Sequence, residues 1–287
     1  VANLREIKRR IRSVQNTAKV TRAMQMIAAS KMRRAQESVL SARPYAEKLR
    51  QVLGDLAAAH GTSGEEVQHP LLERRVVQKS LMVHFTPDRG LAGGMPGNMN
   101  RRGAQFIVDQ ESPTVLITVG KKGRDFMVRT GQEVLAEFTD MGDRPRLADT
   151  EPITFLMREQ YITGQVDEVF LSYSRFVNMA VQTPTVVKVL PIDAEELAAP
   201  GAGYLYEPNP DQVFGSLLPR FIEMQVYHAL LESIASEQSA RMVAMRNASE
   251  AASDMVDDLV LEANKARQES ITSELLDLVG GVAALEG

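Results

Sequence analysis

The chain has 287 residues, 44% of them hydrophobic, with 33 Lys and Arg, 37 Asp and Glu, no Cys and a formal net charge of −4. That length allows one large domain or two modest ones, and the lack of cysteine excludes disulfides, thiol nucleophiles and cysteine-bound metals. No apolar run approaches the ~20 residues of a membrane span, and the opening "VANLREIKRR" is too charged for a secretory signal. The four histidines, His60, His69, His84 and His228, are not paired at metal-ligand spacing.

Charge is unevenly spread. Residues 1–50 hold thirteen Lys and Arg against three Asp and Glu, a net of +10, and residues 210–287 hold five against thirteen, a net of −8. A basic head alone suggests nucleic acid. A basic and an acidic segment of similar helical character instead attract each other.

The first segment reads as one helix. The 3–4 spacing from Leu4 runs through Ile7, Ile11, Val14 and Ala18 and continues to Leu49, Leu53 and Leu56. Of the sixteen positions on this stripe, only Thr21 and Gln25 are polar. A seven-residue repeat held this long predicts a coiled-coil seam, in a rod of about 80 Å at ~1.5 Å per residue. Pro44 has no backbone N–H and is expected to kink or interrupt the rod. "HGTSGEE", 60–66, ends it with glycine and polar residues. The stretch "TRAMQMIAASKMRRAQ", 21–36, adds four cations and three methionines, Met24, Met26 and Met32. These methionines point in more directions than one buried stripe can use, so part of their surface presses on something outside the seam.

The middle changes period. Valine-rich runs at 76–85, 114–120, 133–138, 166–176 and 183–192 are bounded by Gly, Pro or Asp and read as strands. Residues 97–109, 121–130 and 150–163 read as helices between them. The alternation predicts a mainly parallel sheet with crossover helices. "APGAGYLYEPNP", 199–210, reads as a linker.

The last segment opens with Asn209 as a helix cap and Pro210 in the first turn. Apolar spacing runs through Leu217, Phe221, Met224, Leu231 and Ala235, then resumes at Ala252, Val256, Leu259, Ala263 and Ala266. The sequence therefore predicts an α/β fold in which a long antiparallel coiled coil of the N- and C-terminal helices carries an inserted α/β domain. The expected divisions are 1–58 for the first helix, 75–195 for the α/β domain and 209–287 for the last helix.

Three motifs bear on chemistry. "TPDRGLAGGMPGN", 86–98, follows a strand and leads into a helix, where an open α/β sheet places phosphates. Its spacing is neither of the common nucleotide fingerprints. The bland reading is tight turns plus a protein-binding surface. Arg9, Arg10, Arg12, Lys31, Arg33 and Arg34 can grip phosphates, but no aromatic residue precedes Tyr45 to stack a base. There is no G-x-S-x-G nucleophile elbow. A nucleotide-binding α/β enzyme with coiled-coil oligomerisation arms and a nucleic-acid clamp stay open at this point beside a structural partner-binding protein. At the extreme end, "ELLDLVGGVAALEG" sets Leu275, Leu276, Leu278, Val279, Val282 and Leu285 around nearly the whole circumference. A helix apolar all round is a buried helix. It is too short to span a bilayer, so a sleeve of other chains is expected.

"TRAMQMIAASKMRRAQ", "DRGLAGG", "YLYEP", "EQSARMVAMRNASE" and "NKARQESITSELLDLVGG" together resemble the γ subunits of F-type ATP synthases, in that family's order and over nearly the whole chain. The resemblance implies a non-catalytic central rotor shaft without cofactor or metal. Its implied partners are the α and β subunits of the F1 hexamer, the ε subunit and the c-subunit ring. It implies no nucleic acid, no direct membrane insertion, and a peripheral place on the cytoplasmic face of a bacterial inner membrane. The apolar end, Leu275, Leu278, Val282 and Leu285, resembles the tip held in the hexamer. Arg267, Gln268, Thr272 and Glu274 match contacts to a β-subunit loop. Met24, Lys31, Arg34, Arg241 and Met245 fall where such shafts meet the moving region of the β subunits. Arg43, Pro44, Tyr204, Tyr206 and Glu207 match the foot, which meets the c ring and ε. Two departures stand out: Ala92 takes a position where the family often has cysteine, and "GGMPGN" replaces a more asparagine-rich sequence.

Overall fold

The computed structural model describes residues 4–63, 69–193, 206–207 and 209–286, with the side chains of 59–63 and 283–286 outside the description. In chain order the elements are α1 (Leu4–Ser63), β1 (Ser80–Phe85), α2 (Met95–Asp109), β2 (Thr114–Val119), α3 (Lys121–Arg129), β3 (Val134–Phe138), a 3-10 turn (Leu147–Thr150) leading into α4 (Glu151–Ile162), β4 (Glu168–Phe176), β5 (Gln182–Leu190) and α5 (Pro210–Glu286). Each expected strand and helix is present, with ends moved by a few residues.

Contacts group the chain into two units, Val1–Ile27 with Met242–Gly287, and Ala28–Arg241. Residues 28–63 and 210–241 thus belong with the sheet.

In the terminal unit the two helices run antiparallel. Ile7 packs with Leu259 and Ala266, and Ser249 Oγ donates to Ala18 O at 3.4 Å, so rising numbers on α1 meet falling numbers on α5. All sixteen positions of the stripe read from the sequence are buried or half-buried, Ile7 against α5, whereas Ala35, Leu49, Leu53 and Leu56 join the core that includes the sheet. Apolar side chains repeating every seven residues leave water together when a second helix covers that line.

Pro44 does not interrupt the helix. α1 continues through it without a break. The hydrogen bond it cannot make would have reached the carbonyl of Leu40, and Leu40 and Pro44 both lie on the exposed side of the helix, where water takes the freed acceptor.

In the larger unit the sheet order is β3-β2-β1-β4-β5. β1 pairs in parallel with β2 and β4, β2 in parallel with β3, and β4 antiparallel with β5. Side chains alternate across it. Leu81, Val83 and Phe85 of β1 join Val115 and Ile117 of β2, α4, and the sheet-side parts of α1 and α5 in one core. Met82, Leu116 and Phe170 face the other way, against Phe106 of α2 and Met127 of α3. Asn209 caps α5 as expected, its Oδ1 accepting from Gln212 N at 2.9 Å.

Candidate partner-binding surfaces

The glycine-rich loop follows β1 at the point where the chain's crossovers change direction, the usual ligand position of an open α/β sheet. Here Asp88 and the Gly90 carbonyl are engaged internally. Asp88 accepts from Lys121 N at 3.1 Å and from Asp140 N at 2.9 Å. Lys121 pairs with Asp140 at 2.8 Å, and that bond holds the Asp140 carboxyl below its usual range. Arg241 of α5 donates to Gly90 O at 3.2 Å and pairs with Glu237 at 2.7 Å. Leu91, at the loop's turn, has φ +63° and is exposed. Gly120 opens α3 with φ +102°, and a Cβ there would lie 1.9 Å from Thr86 O. The loop is a closed turn tied to α3 and α5. Among the described residues no group of three or more His, Cys, Asp or Glu is placed to hold a metal ion.

α5 is also tied to the sheet. Glu232 Oε2 accepts from Phe176 N at 2.6 Å, and Ser236 Oγ donates to Ser174 O at 2.9 Å. These long-range polar ties were not among the sequence-level candidates. No local pattern marks them, because each joins segments dozens of residues apart.

The positions singled out from the sequence fall into distinct settings. Among the methionines of the opening stretch, Met32 is buried, Met24 half-buried and Met26 62% exposed. Val20 and Ile27, one heptad apart and not among the candidates, are also exposed. The surplus apolar surface of α1 is therefore real and lies outside the seam. Met245 is buried. Lys31 is paired with Asp143 at 2.5 Å, and Arg34 is half-buried.

Near the end of α5, Arg267, Gln268, Thr272 and Glu274 are exposed. Leu275, Leu278 and Val282 are 56%, 67% and 55% exposed, and Leu276 and Val279 beside them are exposed too. The side chain of Leu285 lies outside the description. In the larger unit Arg43, Pro44 and Glu207 are exposed and Tyr206 packs half-buried against the core. Tyr204 lies outside the described residues. Beside Arg43 a groove of about 690 Å³ opens between α1, β4–β5 and α5, with Val187, Phe221 and Met224 among its lining. No described helix is long and apolar enough to cross a membrane.

A family model described as ATP synthase matches residues 3–285. The ATP synthase gamma chain of Dehalococcoides mccartyi (strain CBDB1) is 54% identical over 287 residues, covering 99% of this chain and 100% of that one. The gamma chain of Roseiflexus sp. (strain RS-1) is 50% identical, with 98% of each chain covered. Among solved structures, a chain in the cryo-EM structure of Euglena gracilis mitochondrial ATP synthase, OSCP/F1/c-ring, matches with a TM-score of 0.67 at 18% identity, over 98% of this chain and 94% of that one. One in the central stalk/c-ring structure from Tetrahymena thermophila matches with a TM-score of 0.63 at 24% identity, over 80% and 99%.

Proposed function

The chain belongs to the ATP synthase gamma-chain family, and from that premise we propose that it is the central-stalk rotor, carrying rotation between a proton-driven c ring and the nucleotide sites of an α3β3 hexamer. It takes no catalytic part itself. One observation carries the reading: the last turns of α5 expose Leu275, Leu276, Leu278, Val279 and Val282, an apolar surface of the kind that marks a site for partner subunits. The engaged state of the glycine loop, with Asp88 and Arg241 already bonded within the chain, supports a structural part over a nucleotide-binding one. Arg43, Pro44, Tyr206 and Glu207 belong to the foot toward the c ring and ε in this reading. The site is peripheral, at the cytoplasmic face of a bacterial inner membrane.

The physical principle is asymmetry. A two-helix shaft has no three-fold axis, so three like sites around it meet three different faces. A contact biases a site only if it favours one conformation over another. Moving a site from 1:99 to 99:1 requires about 5.5 kcal/mol of differential interaction. Several apolar and charged contacts of roughly 1 kcal/mol each reach that sum. Met24, Met26 and Ile27 on α1, and Arg267 and Gln268 on α5, supply them. Arg267→Ala in the assembled complex tests the proposal: proton pumping per ATP hydrolysed should fall several-fold while nucleotide affinity of the β subunits holds. Equal loss of both would refute the rotor role.

A further inference from the structure

The sheet face beneath α2 and α3 carries a buried polar row beside the apolar row of Met82, Leu116 and Phe170. His84 of β1 stands in register between Thr118 of β2 and Ser172 of β4, and all three are fully buried. Their surroundings are Met82, Leu116, Met127 and Phe170.

The bond between Asn100 and the His84 ring has one consistent direction. Asn100 Nδ2 donates to Lys122 O at 3.1 Å, which turns Asn100 Oδ1 toward His84 Nε2, also at 3.1 Å. That ring nitrogen must therefore carry the proton. In a neutral ring Nδ1 is then an acceptor, and Ser172 Oγ donates to it at 3.0 Å. This arrangement suits a neutral ring, and burial with no carboxylate alongside favours that form. Both helices settle on that ring through glycine. A Cβ on Gly103 of α2 would lie 2.9 Å from His84 Cε1, and one on Gly123 of α3 would lie 2.9 Å from Cδ2. The ring thus meets Asn100 and Gly103 from α2, the Lys122 carbonyl and Gly123 from α3, Thr118 from β2 and Ser172 from β4. None of these is a carboxylate able to hold an imidazolium.

We propose that His84 is an acid-sensitive latch: proton uptake by its ring releases α2 and α3 from the sheet, while the opposite face, packed against α1, α4 and α5, stays formed. A proton on Nδ1 forces Ser172 to become an acceptor and strands a charge in a buried layer without a counter-ion. Burial pushes the ring down to about 4, the bond to Asn100 opposing this weakly. An opened layer exposes the ring to water, where it titrates near 6.5. The open form therefore takes the proton first. The layer holds fully above about pH 6.5, and its closing equilibrium weakens by up to about tenfold per pH unit as the pH falls from there toward 4. His84 lies outside the surfaces assigned to partners, so this inference stands apart from the rotor reading.

Hydrogen–deuterium exchange of the full-length chain, corrected for intrinsic rates, tests it between pH 7 and 4.5. Protection in Met95–Asp109 and Lys121–Arg129 should drop by about tenfold per pH unit below pH 6, while Glu151–Ile162 keeps its protection. His84→Gln retains a side-chain donor toward Asn100 without the titration, and should abolish the drop. The same drop in H84Q, or an equal drop in every segment, overturns the latch. Should H84Q fail to fold, an NMR titration of the His84 ring in the unaltered chain decides: signals of α2 and α3 shifting in step with the ring support it, and ring titration with those signals unmoved overturns it.

Discussion

Replacing Arg241 by alanine tests how the glycine loop is fixed to α5. The Arg241 side chain is 11% exposed and that of Glu237 18%, with 2.7 Å between them, and Arg241 also donates to Gly90 O at 3.2 Å. Burial pushes the Glu237 carboxyl up, Arg241 opposes this, and Asp143 and Asp88 add to the rise. Removing the cation leaves a mostly buried carboxylate facing two others. Breaking a buried pair from one side costs about 3–5 kcal/mol. Here some water reaches the pair and Glu237 can take up a proton instead, so the expected loss is about 2–3 kcal/mol. Glu237→Gln alone should cost about 1 kcal/mol, since an amide still accepts from Arg241. The double variant should recover at least about 1 kcal/mol relative to the sum of the two. The pH dependence has a definite sign. A carboxyl with a raised folded pKa contributes stability below its unfolded value and loses it as pH climbs through the folded one. Without Arg241 the rise is larger, so the penalty of R241A should shrink on going from pH 8 to pH 5. Urea unfolding of the four species, followed by circular dichroism, measures all of this. Additive single effects, or a penalty independent of pH, would refute the buried-pair argument.

Gly120→Ala should be severe, because φ is +102° and the new Cβ would fall 1.9 Å from Thr86 O; strain and overpacking together predict a loss of at least about 3 kcal/mol, read as a lowered melting temperature. Asn209→Ala removes the cap on Gln212 N and should lower stability by about 1 kcal/mol, seen as a shifted urea midpoint. Leu278→Asp should leave the isolated chain within about 0.5 kcal/mol of the parent, since the side chain is exposed there. The same change should sharply reduce the yield of hexamer-bound chain in reconstitution with α and β subunits, measured by gel filtration.

Much of this architecture is legible because periodicity is a direct consequence of burial. The α1 stripe could be read position by position, since its apolar side chains are buried along one line of the helix. The strands could be read because β1, β2 and β4 are largely buried and carry mostly apolar, β-branched-rich runs, interrupted by polar residues such as His84, Thr118 and Ser172. The pairs that fix the loop were not legible. Arg241 and Gly90 lie 151 residues apart, and only the fold brings Lys31 to Asp143. His84 could be identified as isolated from any metal pattern, but not as the centre of a buried network, because its partners Asn100 and Ser172 arrive on different elements.

The two apolar stretches of α5 show the limit most clearly. Residues around Phe221, Ile222, Met224, Val226 and Leu230 turn apolar side chains in several directions, and so do Leu275, Leu276, Leu278 and Val279. The first group is buried, covered by the sheet and by α1 within the same core. The second is exposed. Local sequence carries the same message in both places, namely that water must be excluded on every side. It does not say whether the cover is the chain's own or another's. That difference is set by what packs alongside: among the described residues nothing of the chain itself covers the last turns of α5, and under the rotor proposal the cover is the hexamer's.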